Sequence, residues 1–274
     1  MNYLKKTLLI IFSLTLFSSC KQNSNSITVF LAAFFSPVML EIQNNTQKDL
    51  NIKLKNEISG SQVAIRKVTE LGRQCDLLII ADNKLFNELA SSFVSWRIDF
   101  AGDEIVLGIA KRAKYIDKAE KNWLNVLLKD DISIARVDEN LGPIGYRTLE
   151  VWGKIGHSEL RNKPQKIVEH VSQLAALLKA SDIDYAFLYK TTCIKNDIRF
   201  IKLDDKINLN ASIKYSLSIP KNTHNFKHTV KFIKYLLIDR KDILNLYGYK
   251  TFKPKFYGSL ADYKYFKDFC EYAN

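Results

Sequence analysis

The sequence predicts an α/β protein of two lobes, each with a sheet covered by helices. Short apolar runs typical of buried strands alternate along the chain with stretches of helical periodicity, as at 27–34 and 75–81. The order strand, helix, strand, helix, strand favours a parallel sheet with helices packed on it. Two long strands, predicted near 104–110 and 212–219, are expected to join the lobes.

The first lobe begins with an apolar strand at Ile27–Phe34 and an alternating, half-exposed strand at Leu50–Lys55. Apolar residues at helical spacing then run from Val63 to Leu71, with Ser61 before them and Gly72 after them as caps. The apolar run CDLLIIA at 75–81 predicts the next buried strand.

The second half of the chain continues the alternation. We predict a strand at Ile132–Val137, a tight loop at Gly142–Gly145 and a helix from Tyr146 onward. The run YAFLY at 185–189 predicts a buried strand, and the amphipathic stretch at 226–244 predicts a helix that breaks near residue 239.

The N-terminus predicts export and a lipid anchor. Lys5 and Lys6 precede an apolar run at 8–17, and a run of this length is too short to span a bilayer, which needs about 20 residues. The run ends in FSSC at 17–20, which resembles a lipobox, so we expect a signal peptide at 1–19 and lipid on Cys20. A signal peptide with an ordinary cleavage site, or a cytosolic protein with an apolar first helix, remain the alternatives.

The polar residues after the lipobox predict a flexible tether at 20–26. No second apolar stretch reaches membrane length, so the expected location is the cell envelope, with the chain lipid-anchored on the periplasmic or extracellular side.

Charge favours an anionic partner. The chain has 274 residues and a net charge of +12, with lysines scattered rather than clustered in one run. Because an exported protein has little access to nucleic acid, a small oxyanion is the expected partner and nucleic acid is not. A basic, solvated surface without a specific partner is the alternative reading.

The sequence predicts neither an enzyme nor a metal or cofactor site. Cys75, Cys193 and Cys270 form no CxxC or Cys/His cluster, and one disulfide among them is left unassigned. The four histidines lie on or beside predicted helices, without a Ser/His/Asp arrangement.

Three segments carry a specific resemblance to a known family. They are GSQVAIRKVTELG at 60–72 with Asp76 and Asp82 after it, NLGPIGYRTL at 140–149, and LLKASDIDYAFLY at 177–189. These resemble the G-S-V-x-x-x-R-x-I-T-E-L-G, N-L-D-P-C-G-Y-R-x-L and L-L-x-S-G-E-L-D-Y-x-F-x-Y segments of periplasmic molybdate/tungstate-binding proteins, with agreement in order and spacing from Ile27 to Asp242.

The resemblance implies a type II periplasmic binding protein, with two α/β lobes and mixed sheets around a ligand cleft. Lobe 1 is expected at 27–107 and 218–274, and lobe 2 at 108–217. The implied function is that of a monomeric receptor of an ABC importer, which delivers a small oxyanion to a permease and ATPase.

The resemblance also implies ligand-binding residues, namely Ser61, Gly142, Tyr146 and Tyr189. Backbone N–H groups at helix N-termini and hydroxyl groups can hold a tetrahedral oxyanion without a contacting lysine or arginine. Each residue also has an ordinary explanation, because Ser61 can cap a helix, the Gly-Pro loop can be a turn, and Tyr189 can be core.

Three departures from the family pattern change the expected pocket. The family's first strand ends in H-A-G-S-L, and Phe34 stands here in place of its serine. Gly142 replaces the aspartate of the N-L-D-P loop, and the second carboxylate aligns near Val171, with Glu169 the closest acid.

Each lost hydrogen bond to a buried charged ligand costs about 1.5–3 kcal/mol, so the usual oxyanion site should be weakened. Molybdate or tungstate is the leading ligand. A larger, partly apolar ligand beside Phe34 and Phe35, or a surface or sensor module without transport, are the alternatives.

Overall fold

The computed structural model describes residues 25–89, 91–163 and 165–273. The predicted signal peptide, the lipidated Cys20 and most of the tether lie outside these residues. Among the described residues, no helix has the length and apolarity that a membrane crossing requires.

Twelve strands form two sheets in the described part of the chain. They are β1 Ser26–Ala32, β2 Lys53–Ser59, β3 Leu77–Ile80, β4 Arg97–Gly102, β5 Ile105–Ile109, β6 Ile134–Val137, β7 Gln165–Val168, β8 Tyr185–Tyr189, β9 Arg199–Lys202, β10 Lys214–Ser218, β11 Lys250–Tyr257 and β12 Glu271–Tyr272.

The helices that cover these sheets are α1 Ser36–Leu50, α2 Ser61–Thr69, α3 Lys84–Glu88, α4 Ile116–Leu127, α5 Pro143–Lys154, α6 Val171–Ala180, α7 Lys190–Asn196, α8 Phe226–Lys234, α9 Lys241–Leu246 and α10 Leu260–Tyr263. Short 3-10 turns occupy Ala33–Phe35 and Ser158–Asn162, and a π-helical turn occupies Tyr235–Asp239.

Each lobe is built on one mixed sheet. The first sheet has the order β12-β11-β4-β10-β3-β1-β2, with β1 parallel to β2 and β3 and with β10 antiparallel to β3 and β4. The second sheet has the order β7-β6-β8-β5-β9, with β6 parallel to its neighbours and β5 antiparallel to its own. The predicted α/β architecture of two lobes with mixed sheets is confirmed.

The chain passes between the sheets at two places. It leaves the first sheet after Gly102 and enters the second at Ile105, and it returns between Lys202 and Lys214. The expected lobe boundary after residue 107 therefore falls inside β5, and the boundary at 218 falls at the end of β10. Buried apolar residues continue on both sides of the first crossing, which hides it in the sequence.

Several predicted element bounds need correction. The first strand ends at Ala32, because a 3-10 turn and then α1, with Pro37 in its first turn, follow it. The second strand begins at Lys53, since Leu50 still belongs to α1 and Asn51 ends that helix in the left-handed conformation. The predicted loop at Gly142–Gly145 is already helical from its proline onward.

The aromatic C-terminal segment completes the first lobe. Strand β11 pairs antiparallel with β4, and Phe256 is fully buried with its ring centroid 5.7 Å from that of Trp96. The predicted break in the long C-terminal helix is also present, as a π-helical turn followed by Arg240.

Candidate functional site

Three helix N-termini meet at a small compartment between the lobes. Helix α2 of the first lobe contributes Gly60 and Ser61, and helices α5 and α6 of the second lobe contribute their first residues. The complete lining is Ala32, Ala33, Phe34, Gly60, Ser61, Ala81, Gly142, Pro143, Ile144, His170, Val171 and Tyr189. Because the N-terminus of a helix carries unpaired N–H groups and a partial positive charge, this arrangement suits an anion.

Glycine at position 60 allows the lobes to approach each other here. A Cβ atom on Gly60 would lie 2.1 Å from the carbonyl oxygen of Leu141 in the other lobe, so no larger residue fits without separating them. Beside this contact, the Gln62 side-chain amide donates to the carbonyl oxygen of Glu139 at 3.1 Å.

Ser61 is positioned to donate a hydrogen bond into the compartment. It is the first residue of α2 and is fully buried, and its Oγ accepts the Ala81 N–H at 3.1 Å. This bond occupies the oxygen as an acceptor and leaves the hydroxyl proton to be donated. The N-cap of the helix is Gly60, so Ser61 does not have the capping role considered as an alternative.

Tyr189 places an unpaired hydroxyl group against the same space. It ends β8, is 1% exposed, and its hydroxyl has no hydrogen-bond partner among the described residues. Burial, together with the nearby charge of Asp82, raises the pKa of Tyr189 well above its usual value. The phenol is therefore neutral and able to donate.

The other predicted site residues are placed differently. Gly142 lines the compartment, but its N–H donates to the carbonyl oxygen of Asp138 at 3.2 Å. Tyr146 lies in the first turn of α5 and does not line the compartment; the Lys84 ammonium lies 5.4 Å from its ring centroid. Burial raises the pKa of Tyr146, with a further contribution from the charge of Asp82.

His170 is a lining residue that the sequence reading missed. It lies directly before α6, and its side chain caps that helix by accepting the backbone N–H of Gln173. The signal was available, because His170 immediately precedes the apolar helix at which a carboxylate of the family was expected. Glu169, the closest acid in sequence, is exposed and does not line the compartment.

Phe34 fills most of the space at which the family's serine was expected. It is 6% exposed, and its ring stacks on Tyr215 with centroids 4.1 Å apart. Its carbonyl oxygen also accepts the Tyr249 hydroxyl at 2.8 Å. The remaining volume is about 20 Å³, which is room for about one water molecule.

A buried ion pair connects the lobes beside the compartment. Arg147 of α5 donates to both carboxylate oxygens of Asp82, at 2.6 and 3.1 Å, and the side chains are 7% and 0% exposed. Glu150 accepts a third hydrogen bond from the guanidinium at 2.6 Å. Burial alone would lower the pKa of Arg147, but the bonds and charge of Asp82 raise it above its usual value.

A second buried carboxyl group lies at the crossing between the sheets. Asp103 accepts hydrogen bonds from the hydroxyl groups of Thr191 in the second lobe and Tyr215 in the first. Burial raises the pKa of Asp103 to about 6, although these hydrogen bonds favour the charged form. The carboxyl group therefore titrates at the point where the lobes join.

The described residues contain no group of three His, Cys, Asp or Glu side chains placed to hold a metal ion. Cys75, Cys193 and Cys270 are buried as free thiols. The arrangement between the lobes thus offers hydrogen-bond donors and helix N-termini rather than metal ligands.

Comparison with known proteins agrees with this geometry. The sequence model of the bacterial extracellular solute-binding protein family matches residues 27–250. The chain belongs to this family. The two lobes and the intervening compartment are therefore those of a solute-binding protein.

Two curated relatives have comparable similarity. An uncharacterized solute-binding protein of Petrotoga mobilis is 27% identical, over 78% of this chain and 79% of that protein. The molybdate/tungstate-binding protein WtpA of Pyrococcus abyssi is 26% identical, over 77% of this chain and 78% of that protein. The resemblance to molybdate/tungstate-binding proteins is confirmed.

Solved structures share the fold. The periplasmic molybdate-binding protein of Azotobacter vinelandii superposes with a TM-score of 0.68 at 16% identity, covering 81% of this chain and 98% of that chain. The substrate-binding domain of a molybdenum ABC transporter from Clostridium difficile, described as putative, gives 0.60 at 21% identity, covering 83% and 99%.

Proposed function

We propose that this protein is the receptor subunit of an ABC importer and holds a small oxyanion between its lobes. This proposal is supported mainly by the three helix N-termini that line one compartment between the lobes. The buried Tyr189 hydroxyl, which has no hydrogen-bond partner among the described residues, lies beside them. Together with the Ser61 hydroxyl, these groups supply donors to an anion, and no acidic residue lines the compartment.

The first oxyanions to test are molybdate and tungstate. Relatives in Pyrococcus abyssi and Thermococcus kodakarensis are named molybdate/tungstate-binding proteins. The compartment holds about 20 Å³ with Phe34 in place, so binding of a tetrahedral oxyanion requires the lobes to part or the ring to move. We infer that affinity for inorganic oxyanions is weaker here than a serine at position 34 would give.

The presence of Phe34 in the compartment supports a second candidate function, a receptor for another small solute. Phe34 introduces an apolar ring where the family places a hydroxyl, and it is held by contacts with Phe35, Tyr215 and Tyr249. A module that keeps the fold without transport is the remaining alternative, and an adjacent permease and ATPase gene would favour transport. No catalytic role is proposed.

Thermal unfolding with added anions tests the receptor function. Tungstate, molybdate, sulfate, phosphate and small carboxylates are each added at millimolar concentration to the protein without residues 1–19. A ligand at 100 times its dissociation constant stabilises the folded state by about 2.7 kcal/mol. Absence of a shift with molybdate and tungstate would exclude that ligand class, and absence with every anion would exclude an oxyanion receptor.

Ser61→Ala provides the site-specific comparison. We expect it to weaken any bound oxyanion, because one buried donor to a charged ligand is lost. Ser95→Ala is the matched control, since this exposed serine lies in the first lobe away from the compartment. Equal affinities of the two variants would remove Ser61 from the site.

The lipid anchor is part of the same proposal. Lipid on Cys20 and the polar tether at 20–26 would keep the receptor near its permease at the envelope membrane, as a monomer and without a nucleic-acid partner. The chain is expected to partition into the detergent phase, and Cys20→Ser is expected to release it. Unchanged partition of the variant would contradict the anchor.

A further inference from the structure

A second compartment lies on the other side of Phe34. Its volume is about 50 Å³, and it shares Ala33, Phe34 and Val171 with the compartment at the helix N-termini. The two spaces thus adjoin each other at Phe34 and its neighbours. The remaining lining residues are Ser172, Thr191, Thr192, Lys195, Asn196, Tyr247 and Tyr249.

The second compartment is lined by one cationic side chain. Lys195 of α7 is an exposed residue that lines the space. Desolvation lowers the pKa of Lys195. No acidic residue lines this space.

Three other polar side chains of the second compartment already have hydrogen-bond partners. The Thr191 hydroxyl donates to Asp103, and the Tyr249 hydroxyl donates to the carbonyl oxygen of Phe34 at 2.8 Å. The Asn196 amide nitrogen donates to the carbonyl oxygen of Thr192 at 2.8 Å. The charge available to a ligand is therefore that of Lys195.

We propose that the cleft takes a small organic molecule with two acidic groups, namely a tetrahedral oxyanion head and a carboxylate. The head lies at the three helix N-termini with Ser61 and Tyr189, a short carbon chain passes Phe34, and the carboxylate meets Lys195. This proposal rests on the proposed receptor function and names its ligand class. It gives Phe34 an apolar partner, which an inorganic oxyanion lacks.

Matched probes separate the head from the second acidic group. We would titrate the protein lacking residues 1–19 with phosphonoacetate and methylphosphonate, with sulfoacetate and methanesulfonate, and with tungstate. Within at least one organic pair, the probe that carries the carboxylate is expected to bind about tenfold tighter or more, the effect of one additional charge-assisted hydrogen bond. It should also bind tighter than tungstate.

Lys195→Gln tests the position of the second group. The variant should bind the carboxylate-bearing probe roughly tenfold more weakly, because one charge-assisted hydrogen bond is lost. The carboxylate-free probe makes no such bond, so its affinity should change by less than about twofold. The difference within the responding pair should therefore disappear. Lys121→Gln is the control, since it removes one exposed lysine of the same lobe outside the cleft and the charge change is identical. If both variants reduce binding equally, general electrostatic attraction explains the preference and the proposal is wrong.

The outcomes distinguish this inference from the proposed function. Tungstate or a carboxylate-free probe that binds as tightly as the carboxylate-bearing one would overturn the two-group ligand and leave the oxyanion receptor intact. If none of the anions binds, both proposals fail together.

Discussion

Two neighbouring parts of the contact between the lobes use polar groups in opposite ways. Around Arg147 and Asp82, buried charges are fully paired, with two hydrogen bonds between them and Glu150 as a further partner. Around the helix N-termini, the buried Tyr189 hydroxyl group has no hydrogen-bond partner among the described residues.

The difference separates holding the lobes together from holding a ligand. A buried polar group without a partner costs folding free energy, so unpaired donors beside a cavity indicate where a ligand would supply the missing acceptors. A paired ion bridge offers nothing to a ligand, but it stabilises the approach of the lobes. Variants at each place should therefore change different measurements.

The largest expected effect is on stability at the ion pair. Arg147→Met leaves Asp82 as an unpaired buried charge, and we expect the free energy of unfolding to fall by about 3–5 kcal/mol in denaturant titrations. Arg199→Met is the control, because it removes the half-exposed ion pair with Glu120 and should cost under about 1 kcal/mol. Equal losses in the two variants would show that Arg147 has no special role.

The pH dependence of stability should reveal Asp103. Its folded pKa of about 6 lies above the ordinary 3.8, so the folded state binds the proton more strongly and stability falls as pH rises through this window. Between pH 4 and 7 the wild type should lose about 2 kcal/mol relative to Asp103→Asn.

Comparison with Asp103→Asn cancels the other carboxylates. Burial opposes ionisation of Glu57, but its bonds to Lys67 and Arg73 still lower the pKa of Glu57, and that contribution is the same in both proteins. Parallel pH curves for the two proteins would mean that Asp103 is already charged at pH 4 in the folded state.

The aromatic ring at position 34 should limit oxyanion affinity. Phe34→Ser removes the ring and adds a donor, so tungstate affinity measured by calorimetry should rise by about 1.5–3 kcal/mol. The substitution should also cost about 3–5 kcal/mol of folding stability, as loss of a buried aromatic ring does. Phe35→Ser is the matched control, since this ring is equally buried but lines neither compartment. If tungstate affinity rises in both variants, the cause would be loosening of the aromatic packing and not a new hydrogen bond from position 34.

The sequence predicts much of the fold because its strongest strands are buried on both faces. Runs such as LLII at 77–80 and YAFLY at 185–189 have no exposed residue, so local hydrophobicity alone marks them. The exact residue of the first crossing between the sheets is hard to place from the sequence, because buried apolar residues continue on either side of Asp103. The first strand was predicted to run through Phe34, but it ends at Ala32. The 3-10 turn that follows is also fully buried, so its apolar residues look like a continuation of the strand in the sequence.

The site was less accessible to sequence reasoning. Ser61 and Tyr189 were found through the family pattern, and both line the compartment. Tyr146 was implied by the same family pattern, but α5 already begins at Pro143, and Tyr146 does not line the compartment. Lys195 belongs to no local motif, and only the packing of the two lobes brings it to the cleft. His170 was passed over although it precedes the helix at which the family pattern places a carboxylate.

The unpaired Tyr189 hydroxyl between the lobes is kept for an anion, and Tyr189→Phe separates this role from a structural one. The variant keeps the ring and removes only the hydroxyl. Unfolding without ligand and anion titration, on the same preparation, should show unchanged or increased stability, by up to about 1–3 kcal/mol, together with about tenfold weaker anion binding. Reduced stability with unchanged anion affinity would instead make the hydroxyl structural and contradict the account.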